Sequence, residues 1–375
     1  MLDTHSSVTP VDLEMTFDEF DSGLPPVVVR AMGVVVSIPV VDEDAGARLR
    51  HQWSRALTDD PVETRLVVAL DGLEDPRDHD YAVTTRVTLA ALEVTAGQRM
   101  SLHAGAVANE AGQALALVCA SGGGKTTATT ALAEKLGYLS DETVSMELDD
   151  LTIHPHPKPL SVCTDEKLPT GRSRKLSISP DDANLAPTPE SARLGRIVLL
   201  RRDGSDVGLV PLTTAEAIVE IVPQTSSLVL LDSPLLTLAR IIDTCGGAFA
   251  LHYGEIREHV DTLTDLLASD LPASPAPVHH PPAETRSPVG AEWSRVAWAD
   301  AVQYDDQLVV LIGDNAHLLT GLGTTLWLAL AQSETLDNLV AVAVEAHGPH
   351  PEAEALVTTA LDELADNGLV VRPGG

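Results

Sequence analysis

The apolar positions of this chain fall into short runs whose spacing changes several times along its length. Residues 26–41 are Val-rich with brief alternation, and 66–70 repeat that pattern, so both predict strands. The stretch 81–95 fits either a long strand or a helix, because its periodicity matches both. Two further strands are predicted at 101–107 and 114–119 around a turn at 109–112. The second runs into three glycines and then a helix-like segment, 128–136. Residues 138–148 alternate as one strand. From Pro155 to about Pro189 the pattern yields to Pro, Lys and Arg, which predicts a long functional loop. Residues 196–201 form a strand with a turn at 203–204. Helical spacing follows at 213–221, 233–244 and 253–269, with Ser233 and Pro234 suited to the N-cap and first helical position. Strands interleaved with helices define an α/β core.

Residues 1–24 read as a loose arm ending at a Pro-Pro break. Six prolines between Pro272 and Pro288 mark a semi-rigid linker, and His279 and His280 within it are expected to be exposed rather than metal-bound. Beyond it, 302–312 reads as a hairpin turning at 304–306, and 318–330, 336–345 and 352–367 as helices. Gly368 suits the position after the last helix, and 369–371 make a closing strand. That order fits a small winged-helix-like α+β module; a helical cap packed on the core is the alternative. The chain thus divides into a β-rich N-terminal portion (1–98), a nucleotide-binding α/β core (99–271), a linker (272–292) and a C-terminal domain (293–375).

Composition narrows the function. A formal charge of −31 opposes nucleic-acid binding, which needs a basic face, and docking on anionic membranes. Apolar residues make up 44% but aromatics only 3%, so the core must be built from Val, Leu, Ala and Ile. Nine of the 24 basic residues nevertheless lie between Lys158 and Arg202, a local positive patch. The three cysteines have no metal spacing and read as reduced thiols. No apolar run reaches the ~18 residues of a spanning helix, and the acidic N-terminus is no signal peptide. A cytoplasmic protein is expected.

The run Leu-Val-Cys-Ala-Ser-Gly-Gly-Gly-Lys-Thr-Thr at 117–127 carries the clearest chemistry. Glycines let the backbone curl into a cradle of inward amides, and the following helix adds its positive end. Ser121, Gly122, Gly123, Gly124, Lys125, Thr126 and Thr127 would surround a polyphosphate, with Lys125 on the β- and γ-phosphates and Thr126 on Mg²⁺. The motif G-x-x-x-x-G-K-[ST] is met except at its first position, Cys119. Upstream, His103 opens a strand; downstream, Asp141 and Glu142 end one. Asp141 is suited to accept a proton from an attacking hydroxyl, Glu142 to hold Mg²⁺, and His103 to orient the acid or stabilise phosphoryl charge. Lys158, Lys167, Arg172, Arg174 and Lys175 either fold over the phosphates or form a solvated loop.

The segment from His103 to Val144 resembles the HPr kinase/phosphorylase family and its serine-kinase relatives. The matching pieces are His103-Ala-Gly105, the Ser121–Thr126 loop and Gly137-Tyr-Leu-Ser-Asp-Glu142. The resemblance implies an HPr-kinase-like P-loop core, ATP and Mg²⁺ as cofactors, and His103 and Asp141 as the catalytic pair. It also allows a homo-oligomer. Ala104 after the histidine, Cys119 and Glu142 depart from the family pattern, and a Glu-x-Arg-Gly-x-Gly element is missing, so HPr itself is not the expected substrate. The C-terminal segment resembles the PqqD-like peptide-recognition fold in its hairpin at 308–312, its run at 318–327 and its ending Leu-Asp-Glu-Leu-Ala-Asp-Asn-Gly-Leu-Val370. Such modules bind leader peptides by strand addition. The combined expectation is a kinase for a Ser or Thr hydroxyl of a peptide docked on residues 293–372, in a peptide natural-product modification pathway. A non-catalytic ATP-binding switch, a kinase of free serine or a similar small compound, and a plain ATPase are the alternatives.

Overall fold

The structure is a computed structural model that describes residues 22–66, 75–168, 170–205, 207–270, 276–283 and 292–373. It is a mixed α/β protein. Residues 1–21 of the predicted arm and 67–70 of the strand at 66–70 lie outside the described residues. Among those residues no helix is long and apolar enough to cross a membrane.

A ten-stranded sheet organises the core. At its centre Gln113–Val118, Ala192–Arg201 and Ala248–His252 run parallel. Ala104–Ala108 pairs antiparallel with Gln113–Val118, and Gly137–Ser140 flanks it. The central strands are apolar along their middle stretches, 114–118, 197–200 and 248–251, because both faces are covered there. Ala114, Ala116, Val118, Ile197 and Leu199 pack on one side with Ile218 and Leu238 from the helices Thr214–Ile221 and Pro234–Thr244. Leu115, Leu117, Val198 and Leu200 pack on the other, with Leu132 and Leu263 from the helices Lys125–Leu132 and Val260–Ala268. This is the two-residue alternation of a strand feeding two separate cores.

The helix Lys125–Leu132 rests on the sheet at Gly105, where a Cβ would come within 2.0 Å of Thr129 Oγ1. Only the bare glycine backbone admits that approach.

The ambiguous segment 81–95 is a helix, Pro76–Thr95. Asp75 caps it, accepting the Arg77 amide at 2.9 Å, and Pro76 opens its first turn. It packs Val83, Val87 and Ala91 against the hairpin Val27–Ala31/Val34–Ile38 and against Leu49 and Trp53.

Several expectations are corrected or refined. Residues 138–148 form two strands, Gly137–Ser140 and Val144–Met146, interrupted where Asp141 and Glu142 turn toward a shared cation. The predicted loop 155–189 contains an antiparallel hairpin, Leu160–Lys167 with Ser173–Ile178. Its charged residues stand on a half-exposed ribbon, where polar side chains carry no penalty. Ser233 and Pro234 do hold the N-cap and first helical positions of the helix Pro234–Thr244, but Ser233 makes no side-chain cap; Asp300 supplies it, accepting the amides of Leu235 at 2.9 Å and Leu236 at 3.2 Å. Residues 318–330 are split between the strand Asn315–Leu319 and the helix Gly321–Ala329.

Residues 276–283, inside the expected linker, hold the strand Val278–His280. It pairs with Asp300–Tyr304, which continues into Gln307–Ile312 and Asn315–Leu319. His279 and His280 are therefore strand residues bonded to Asp300 at 2.7 Å and Gln303 at 3.1 Å, not exposed linker histidines. This C-terminal sheet is built into the core. Its Val302, Val309 and Leu311 join the cluster under the helix Pro234–Thr244, while Ala301, Leu308 and Val310 face Trp293, Trp327 and the helices Leu336–His347 and Ala353–Asp366. Tyr304 adds a hydrogen bond to Asp243 at 2.5 Å.

Candidate functional site

The glycine-rich turn lies between the strand Gln113–Val118 and the helix Lys125–Leu132, at the C-terminal ends of the parallel strands, where α/β sheets bind ligands. Gly122 and Gly124 have φ of 82° and 99°, a region a side chain resists, so the turn depends on these glycines. A cleft of about 680 Å³ opens over it.

The structure brings most of the sequence-predicted residues into this cleft. Ser121, Gly122, Gly124, Lys125, Thr126 and Thr127 line it together with His103, Asp141 and Glu142. Gly123 lies behind its surface, where a Cβ would meet Cys119 Sγ at 2.8 Å. Of the basic residues singled out between 158 and 175, Lys158 and Lys175 line the cleft. Arg174 instead pairs with Asp75, Asp78 and Glu166, and Lys167 donates to Ser173 Oγ at 2.7 Å.

Lys125 is buried and folds back on its own loop, donating to Cys119 O at 2.5 Å and Ala120 O at 3.2 Å. Burial lowers its pKa, although the nearby Cys119, Glu142 and Asp141 oppose that shift. Thr126 Oγ1 donates to Asp141 Oδ2 at 2.9 Å. The other Asp141 oxygen accepts from Tyr138 at 3.2 Å and from Lys158 Nζ at 2.8 Å. Burial alone would raise the Asp141 pKa; the Lys158 charge and the hydrogen bonds from Lys158, Thr126 and Tyr138 outweigh it and hold the carboxyl below its usual value. His103 donates its backbone N–H to Gln224 O at 2.6 Å. Burial and the Lys125 charge lower the imidazole pKa, which favours the neutral ring.

Lys158 is the residue that sequence reasoning placed wrongly. It reads as one cation of a loop, but its side chain is 0% exposed and bridges Asp141 and Glu142, the latter at 3.2 Å. It also donates toward Pro159 O and Ser161 Oγ, at 3.1 and 3.3 Å. The one local signal is Pro-Lys-Pro at 157–159, whose prolines hold the backbone extended.

Among the described residues no group of three or more His, Cys, Asp and Glu side chains is placed to hold a metal ion. Magnesium bound through one or two protein oxygens, substrate phosphates and water does not require such a group. Thr126 and the half-buried Glu142 fit that smaller donor set.

Beneath the site His156 is fully buried, with Nδ1 unpartnered and Nε2 bonded to Thr88 Oγ1 at 3.0 Å. Burial, reinforced by the Lys158 charge, takes its pKa from 6.5 down to about 3. The folded chain therefore keeps this ring neutral while the unfolded chain protonates it below 6.5. Stability from this group is present above that pH and is lost on acidification toward 3, at about 1.4 kcal/mol per pH unit. Denaturation at pH 6, 5 and 4 should show this slope, and His156→Gln should remove one proton's worth of it.

Compared with protein-family models and with curated proteins, the chain matches none.

Proposed function

We propose that the chain is an ATP- and Mg²⁺-dependent phosphotransferase with a P-loop of the HPr-kinase type, acting on a Ser or Thr hydroxyl of a peptide. One observation carries the reading. A glycine turn closes a parallel strand, opens a helix with Lys125 and Thr126 in its first turn, and faces an acid, Asp141, bonded to that threonine. Amides in the first turn of a helix have no helical acceptor and suit phosphate oxygens. Lys125 would leave its loop carbonyls for the phosphates.

Magnesium, held by Thr126 and Glu142, would supply neutralisation of the phosphate charge. Both Asp141 oxygens are engaged by hydrogen-bond donors. That favours a role for Asp141 in fixing Thr126 over one as proton acceptor. The neutral His103 and the partly exposed Glu142 are the groups that face an incoming hydroxyl. The C-terminal sheet, with Asn315–Leu319 at its edge, and the three helices beside it support a winged-helix-like peptide site on residues 293–372. A second reading, a nucleotide-dependent peptide switch without turnover, draws on Lys158, which neutralises both acids.

Calorimetric titration with Mg-ATP tests the common part. Lys125→Ala should weaken binding by about 10- to 150-fold, the loss of one hydrogen bond to a charged group. Mass spectrometry of a candidate precursor peptide after incubation should then show one added phosphoryl group. Tight binding without that product selects the switch.

A further inference from the structure

The chain holds 55 acidic residues against 24 Lys and Arg, so a cation beside a cleft ordinarily finds a carboxylate. The cations that line this cleft are Lys125, Lys158, Lys175 and Arg257. Lys158 bridges two acids, and Arg257 pairs with Glu134 at 2.7 Å. Lys125 lies on its loop carbonyls. Lys175 is half-buried and has no carboxylate within ion-pairing distance among the described residues, although the adjacent Arg174 has three acids. Its ammonium donates to Tyr81 Oη at 3.2 Å and stands 5.3 Å from that ring's centre. An ammonium has three N–H donors, so this contact orients Lys175 and leaves donors for an anion. The hairpin that carries it is tied to the helix Pro76–Thr95 through the Arg174 pairs with Asp75 and Asp78. Its charge contributes to the lowered pKa of both His103 and Lys125, which places it within electrostatic reach of the phosphate loop.

We propose that Lys175 is a second anion contact of the cleft, taking an oxygen of the terminal phosphoryl group of a nucleoside triphosphate opposite Lys125, with Tyr81 as its positioning residue. Loose phosphoryl transfer depends on charge neutralisation at that group, and a lysine serves as a point charge for it. The inference rests on the nucleotide-binding reading above.

The test compares ATP with ADP, both with Mg²⁺, by calorimetry on the full chain. Lys175→Met should weaken ATP by about 10- to 150-fold, the worth of one charged hydrogen bond, and leave ADP within about twofold. Lys175→Arg should restore most of the preference for ATP, which a merely structural role would not predict. Tyr81→Phe, keeping the ring and losing the hydroxyl, should give an intermediate loss. Unchanged ATP affinity in Lys175→Met overturns the proposal, and so does equal weakening of ATP and ADP. Failure of the unaltered chain to bind either nucleotide sinks the nucleotide reading itself, and is told apart because it precedes any substitution.

Discussion

Lys158→Met is expected to cost about 3–5 kcal/mol of folding stability, the range for removing one partner of a buried ion pair. Methionine keeps the unbranched stem, so the loss reports the charge and not a cavity. Lys158 and Asp141 are 0% and 1% exposed, and without the ammonium Asp141 is left in a site where water does not replace it. Denaturant titration measures the effect. The pair is separated from the fold by a second variant: Lys158→Met with Asp141→Asn should recover part of the loss, because the stranded charge is gone. A Lys158→Met chain as stable as the unaltered one would show that the two carboxylates have another cation. Mg-ATP binding should fall further in the double variant, where Thr126 loses its ionised acceptor.

The second large effect is expected at Asp300, which is fully buried. Its Oδ2 accepts the amides of Leu235 and Leu236, and its Oδ1 meets His279 Nε2 at 2.7 Å and the Ala301 amide at 3.0 Å. Asp300→Ala removes a helix cap and strands several buried donors, an expected loss of about 2–4 kcal/mol. Asp300→Asn keeps one acceptor and should cost less. Because Val302, Val309 and Leu311 share the core with the helix Pro234–Thr244, unfolding of Asp300→Ala should remain a single transition. A separate early transition confined to the C-terminal residues would refute that coupling.

How far the sequence foretold this arrangement differs from element to element. The strand–turn–helix unit was legible because everything it needs is local: an apolar strand, three glycines, then Lys125 and a helix. The helix Pro76–Thr95 was ambiguous because Thr84, Thr88 and Thr95 favour strands by shape; in the helix their hydroxyls bond the carbonyls of Asp80, Thr84 and Ala91. Moreover Leu89 and Val94 lie exposed, which blurs its apolar face. The interior place of Lys158 was illegible because its partners, Asp141 and Glu142, sit far off in sequence and only the fold joins them. The strand Val278–His280 was hidden by the prolines around it, and its pairing with Asp300–Tyr304 is likewise non-local. Asp300 in turn caps a helix for which Ser233 looked sufficient.

Gly105 has a consequence for the whole site. Thr129 rests against its bare backbone, and Thr129 belongs to the same short helix that begins with Lys125 and Thr126. The height at which the anchor lysine and threonine ride above the sheet is thus gauged by the lack of a single methyl group beneath them. A side chain added at Gly105 would tilt the whole helix start.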